Sequence, residues 1–173
     1  MSKVKGPGDS IDKAAGIAQK RNFLKKLIQI HTANLKTDRV TVPLMKTIEM
    51  LLTADYLSEA EIQEDIHEIH SLAVAECNKS KNIVKLMAGI GLFAGLVNSV
   101  DAELCKKGIK TLLFLLYHNF PKVRSMAAEK LYTGVLTMEE YEAVIPGGED
   151  AYEAVQALLS ETDWSHDAKT LAA

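Results

Sequence analysis

The chain lacks most of the features that mark a special environment. Its 2 cysteines, Cys77 and Cys105, lie far apart and form no Cys-x-x-Cys pair, so neither a zinc knuckle nor a disulfide framework is signalled and a reducing cytoplasm fits best. Aromatic residues make up only 6%, which argues against a β-sandwich or barrel. With 4 Pro and 10 Gly among 173 residues, the composition is neither fibrous nor low-complexity. The longest apolar stretch, Leu86 to Val97, is about twelve residues against the roughly 20 that a bilayer span needs, and is expected to be a buried core helix. Met1-Ser2-Lys3-Val4-Lys5 precedes Gly6-Pro7-Gly8 without an apolar core, which excludes an ordinary secretory signal peptide. No segment alternates polar and apolar residues for long enough to suggest a strand.

What is abundant is Leu, Ala, Lys, Glu and Met, with 47% hydrophobic and 25% charged residues. A domain of this size and composition folds without disulfides or metals, and its residues favour helix. The net charge is only -3, but it is unevenly spread. Residues 1–39 hold nine Lys and Arg against three Asp, whereas residues 137–163 hold eight Asp and Glu and no base. The basic segment has neither the aromatic interleaving nor the recognition-helix pattern of a nucleic-acid binder, so a solvated face or an acidic protein partner is expected instead. Lys25, Lys26, Lys36 and Arg39 are the candidate partner-binding residues.

Turn and cap signals divide the chain into helices. Gly6-Pro7-Gly8-Asp9 breaks any early structure, so residues 1–9 are expected to form a flexible leader and residues 10–173 one helical domain. Ile17, Leu24, Leu27, Ile28 and Leu35 recur at helical spacing up to Thr37-Asp38. Pro43 suits the opening turn of a second helix through Leu52. Ser58-Glu59-Ala60-Glu61 has capping-box spacing for a helix to Asn78, and Thr137-Met138-Glu139-Glu140 repeats that pattern. Asn82 and Asp101 are side-chain caps for helices over Ile83–Val97 and through Leu112–Leu116, which are expected to be the most buried. Pro121 opens a helix to Tyr132, and a last short one covers Asp150–Leu159. Short connections imply antiparallel neighbours, and pairs at 20–54, 58–97 and 101–133 give a period near 40 residues, as in solenoids. The expected fold is all-α, a HEAT/armadillo-like stack of antiparallel helix pairs.

Residues 120–131, Phe-Pro-Lys-Val-Arg-Ser-Met-Ala-Ala-Glu-Lys-Leu, are similar to the second helix of a HEAT repeat. Val123, Ala127 and Leu131 share one stripe behind Pro121, and small Ala127 lets a neighbouring helix come close. Arg124 is expected to hydrogen-bond a neighbouring turn. Other motifs carry little chemistry. Glu64, His67 and His70 share a helix face, but a di-metal bundle needs a second Glu-x-x-His helix that is absent, so a solvated face is the better reading. Gly89, Gly91 and Gly95 lack phosphate-loop spacing and suit close helix packing. Neither cysteine has a His partner, so no catalytic residue, cofactor or metal site is expected. Trp164 is expected to be a packing anchor.

Arg39-Val40-Thr41-Val42-Pro43-Leu44-Met45-Lys46-Thr47 closely resembles a segment of the tubulin-folding cofactor D family, near its C-terminus. The likeness runs on through residues 78–87, through 112–132 and into Leu158-Leu159-Ser160-Glu161-Thr162-Asp163-Trp164; residues 138–150 match less clearly. The resemblance implies a cytoplasmic HEAT-repeat chaperone, linked also to the centrosome and the microtubule cytoskeleton. Its implied partners are β-tubulin, tubulin cofactors C and E and an Arf-like small GTPase, and its implied work is assembling or dismantling the αβ-tubulin dimer. The cofactors stimulate GTP hydrolysis by tubulin, yet no arginine finger carries over to these residues. The rival expectations are a helical-bundle metal protein or enzyme using Glu64, His67 and His70, and an adaptor that docks only other repeats of its parent chain.

Overall fold

A computed structural model describes residues 7–138 and 145–166, with only the backbone of residues 7–11. Seven helices and no strand occur among the described residues: α1 (Pro7–Ala33), α2 (Asp38–Thr53), α3 (Gln63–Cys77), α4 (Ile83–Gly95), α5 (Ala102–Leu115), α6 (Pro121–Leu136) and α7 (Gly148–Glu161). None of these is long and apolar enough to cross a membrane. The all-α expectation holds. Residues 1–6 of the expected leader, and residues 139–144 of the acidic segment, lie outside the described residues.

Two expected caps form as the sequence indicates. The Asn82 side chain accepts from the Val84 and Lys85 amides, and Asp101 accepts from Glu103 and Leu104. Each relieves free amides in the first helical turn. Other boundaries differ. α1 starts at Pro7 and stops at Ala33, because Asn34 donates back to the Ile30 carbonyl at 2.8 Å and Lys36 takes a left-handed φ of 63°. Leu35 is therefore past the helix and exposed. α2 begins at Asp38, so Pro43 sits inside it rather than opening it. The capping box at Ser58 does not form either: the Ser58 hydroxyl donates to the Asp55 carbonyl, residues Ala60–Ile62 make one 3-10 turn, and Gln63 starts α3. The buried Gln63 amide instead ties the loop, donating to the Leu57 and Glu59 carbonyls. Thr137 closes α6, its hydroxyl donating to the Thr133 carbonyl at 3.1 Å; Glu140, the other half of that expected box, is not among the described residues.

The helices stack in two layers. α1, α3 and α5 adjoin in one and α2, α4 and α6 in the other, with α7 against α6. Members of a layer run parallel: Arg21 of α1 meets Asp65 at the start of α3 and Lys36 past its end meets Glu76, while Asn82 before α4 meets Asp38 at the start of α2. Consecutive helices are thus antiparallel, as short connections require. Contact is densest between α2 and α4. The glycines of α4 allow it, for an added Cβ would lie 2.9 Å from Leu52 Cβ at Gly95 and 2.3 Å from the Glu49 carboxylate at Gly91, and at Gly89 2.3 Å from Cys77 Sγ of α3.

The continuous core runs from Leu24 through Met45, Ile69, Phe93 and Leu112 to Leu131. In α6, Val123, Ala127 and Leu131 are fully buried along one stripe. Arg124 is 1% exposed and serves as a clamp. Its guanidinium donates to the His118 carbonyl at 2.6 Å and the Trp164 carbonyl at 3.1 Å, and to the His166 carbonyl. The planar fork of donors suits such convergent carbonyls. Trp164 is half-buried against the core, its indole N–H bonded to Leu159.

One buried ionic cluster joins four segments. The Lys85 ammonium of α4 bonds Glu76 of α3 at 2.8 Å and Asp38 of α2. Glu76 is fully buried, and its other oxygen accepts the Lys36 amide at 2.6 Å. Asp38 also accepts from Asn82 at 2.6 Å. Burial opposes the charge on Glu76, but the hydrogen bonds from Lys85 and Lys36 prevail and its pKa falls below the ordinary range. Burial likewise opposes the charge on Lys85, and its two carboxylates raise its pKa above the ordinary value. Beside them, burial holds His31 below its usual pKa and hence neutral.

Two outcomes are expected. Ala127→Asp should cost about 3 kcal/mol or more, because it buries a carboxylate without a partner, whereas Lys122→Asp on the exposed side of α6 should stay within about 0.5 kcal/mol; equal melting temperatures would show that the α6 stripe is misplaced. Lys85→Met should cost about 3–5 kcal/mol, with partial recovery in Lys85→Met/Glu76→Gln. In the parent chain the contribution of Glu76 is present above the carboxylate range and lost as pH falls through its lowered native pKa; that of Lys85 is present below the lysine range and lost as pH rises through its raised one. In Lys85→Met the buried carboxyl loses its cation and titrates higher, so urea denaturation should find this variant gaining stability, relative to the parent, from about pH 7 to about pH 5.

Candidate interaction surfaces

The basic N-terminal segment divides between internal and free cations. Lys20 pairs with Glu59 at 2.5 Å and lies 4.2 Å from the centre of the Tyr56 ring, and Arg21 bonds Asp65 and the Glu61 carbonyl. These contacts fix α1 to the loop before α3. Lys36 also works internally: its ammonium donates to the Ala75 and Glu76 carbonyls at the end of α3, where a cation meets the negative end of the helix dipole. Lys25, Lys26 and Arg39 are exposed and form no ion pair among the described residues. At the far end of the stack, Glu149 and Asp150 occupy the exposed first turn of α7, and Glu153 and Glu161 are exposed beyond them. The basic and acidic segments do not meet among the described residues.

Glu64, His67 and His70 do not converge. Glu64 is exposed; His67 Nε2 lies 3.3 Å from Asp101 and His70 Nε2 3.1 Å from the Thr111 hydroxyl. Among the described residues no group of three His, Cys, Asp or Glu side chains could hold a metal ion. The solvated-face expectation needs correction for the two histidines, which are half-buried against α5 and join it to α3.

Beyond His70 the two helices separate and leave a groove of about 550 Å³. Val74 and Cys77 of α3 form one wall, Thr111, Phe114 and Leu115 of α5 the other, and Leu86 and Phe93 of α4 the floor. Phe114 is 81% exposed, and Tyr117 just past it 75%. Burial pushes the Cys77 thiol up to about 11, so it remains a protonated, apolar wall element rather than a nucleophile. Burial, reinforced by neighbouring cations, holds His70 and His118 below the usual histidine range. The charge at this rim thus comes from Lys79 and Lys110.

The expectation that the helix through Leu112–Leu116 is among the most buried holds for one face only. Leu112 and Leu116 are buried, whereas Leu113 and Phe114 are 45% and 81% exposed. Five successive apolar residues sweep more than a full helical turn, so a helix packed on one side must turn some of them outward. That run was the available signal for the groove; its other wall and floor depend on which helices become neighbours.

Residues 9–85 match the family model for the tubulin folding cofactor D C terminal. This span covers α1 from Asp9, α2, α3 and the first turn of α4, and ends on Lys85 of the buried cluster. The likeness quoted for residues 112–132 and 158–164 lies outside it. No solved structure matches the chain. By this match, residues 9–85 are similar to the tubulin folding cofactor D C-terminal family.

Proposed function

We propose that the chain is a non-catalytic protein-interaction module of a tubulin-folding chaperone, taking part in β-tubulin binding and in assembly and disassembly of the αβ-tubulin dimer. The observation that carries this reading is the family match over residues 9–85. A stack of helix pairs supports it, since such stacks present extended surfaces suited to large protein partners. Tubulin cofactors C and E and an Arf-like GTPase enter as partners by the same resemblance, with the cytoplasm as the place of work and the centrosome as a second site. Lys25, Lys26 and Arg39 are the cations we assign to partner contact, for they are exposed and form no ion pair among the described residues while Lys20, Arg21 and Lys36 serve the fold. A basic face accelerates association with an acidic surface.

The test is retention of purified tubulin, and of cofactors C and E, on the immobilised 173-residue chain. Tubulin should be retained, and Lys25→Glu/Lys26→Glu/Arg39→Glu should slow its association about tenfold at low salt with helix content unchanged. Lys36→Glu should instead lower the melting temperature, because it places a carboxylate against carbonyls. Absence of tubulin from a folded, immobilised chain would defeat the reading, and would favour an adaptor for other repeats of the parent protein.

A further inference from the structure

The groove between α3 and α5 is concave and apolar, with Phe93 and Leu86 as its floor and Phe114 standing open on its wall. Isolated exposed apolar residues are ordinary, but Val74 and Phe114 line the two walls of one hollow, which marks a contact surface. Another helix pair added to the stack would not cover it. Such a pair would extend the row beyond α1–α2 or beyond α6–α7, whereas the groove opens on the side of the layer.

The charge around this hollow specifies its occupant. Lys79 and Lys110 line the rim, and among the described residues no carboxylate lines the groove. On the flanking elements Glu76 turns inward to Lys85, Asp101 caps α5 and meets His67, and Glu103 pairs with Lys106, while Glu68 is exposed on α3 outside the groove lining. From His70 to Cys77, where α3 ends, the wall runs about 10 Å at 1.5 Å per residue, room for about two turns of a docked helix. We infer that this groove binds an amphipathic helix of a partner protein, whose apolar stripe enters between Val74 and Phe114 while acidic residues on its flanks meet Lys79 and Lys110. Apolar anchors spaced at i, i+3, i+4 and i+7 are the pattern that such grooves select. The inference rests on the reading of the chain as an interaction module and adds the place and chemistry of one interface.

The full chain is used as bait for a displayed library of roughly 14-residue amphipathic helices whose flanking positions vary among Glu, Gln and Lys. The enriched peptides should carry Glu at the flanks. In fluorescence anisotropy the best of them should lose at least about tenfold affinity for Phe114→Ser and for Lys110→Glu, and should weaken as salt is raised. Both substitutions replace exposed side chains, so circular dichroism should stay that of the parent. Enrichment of Lys-flanked peptides, no enrichment, or unchanged affinity for Phe114→Ser would overturn the inference. So would concentration-dependent self-association abolished by Phe114→Ser, because the occupant would then be a second copy. Tubulin retention without peptide binding removes the groove alone, and peptide binding without tubulin retention removes the tubulin reading alone.

Discussion

The ammonium of Lys85 is the point on which the first half of the structure depends. It reaches from the first turn of α4 to Glu76 at the end of α3 and Asp38 at the start of α2, so three helix ends are fixed in relative register by one group. Glu76 in turn accepts the amide of Lys36, which sustains the left-handed turn between α1 and α2. Asn82 shares the work, capping α4 through its oxygen and reaching Asp38 through its nitrogen. Buried ions stabilise little when compared with a well-packed apolar alternative, yet a misaligned neighbour would leave one of them unpaired. The cluster therefore enforces one arrangement of α1 to α4.

The charged residues of α1 show how little a local balance says about a binding face. Lys20, Arg21 and Lys36 each find a partner in or just before α3, about forty residues onward. That separation is the length of one helix pair, so these contacts are repeat-to-repeat ties. The cations left over are fewer and occupy a smaller surface, which narrows where an acidic partner can be drawn in.

Legibility of the sequence followed the range of the interactions. Asn82 and Asp101 act on amides two and three residues away, and both caps were visible because nothing distant competes with them. The α6 stripe was equally plain, since a Val, Ala and Leu at steps of four have one buried face under almost any neighbour. The box at Ser58 failed for the opposite reason: Glu59, inside that tetrad, is drawn to Lys20 on α1, and Gln63 is needed to close the loop. Pro43 suggested a helix start because its missing N–H is harmless there, and α2 tolerates that loss within the helix instead. For the candidate surfaces, the exposed Lys25, Lys26 and Arg39 could be singled out by charge. The groove could not, because it is defined by a gap between α3 and α5 and by which residues of α4 lie beneath it.

The uneven spacing of the two layers has a mechanical consequence. On the even-numbered side glycine brings α4 close to α2, and Gly134 of α6 leaves so little room that an added Cβ would stand 2.7 Å from Val97. On the odd-numbered side, full-sized imidazoles and a hydroxyl keep α3 and α5 apart. The joint between α3 and α5 is thus the looser of the two on either side of α4. Relative movement of neighbouring helix pairs would be taken up there first, so it would change the width of the hollow beside Phe114.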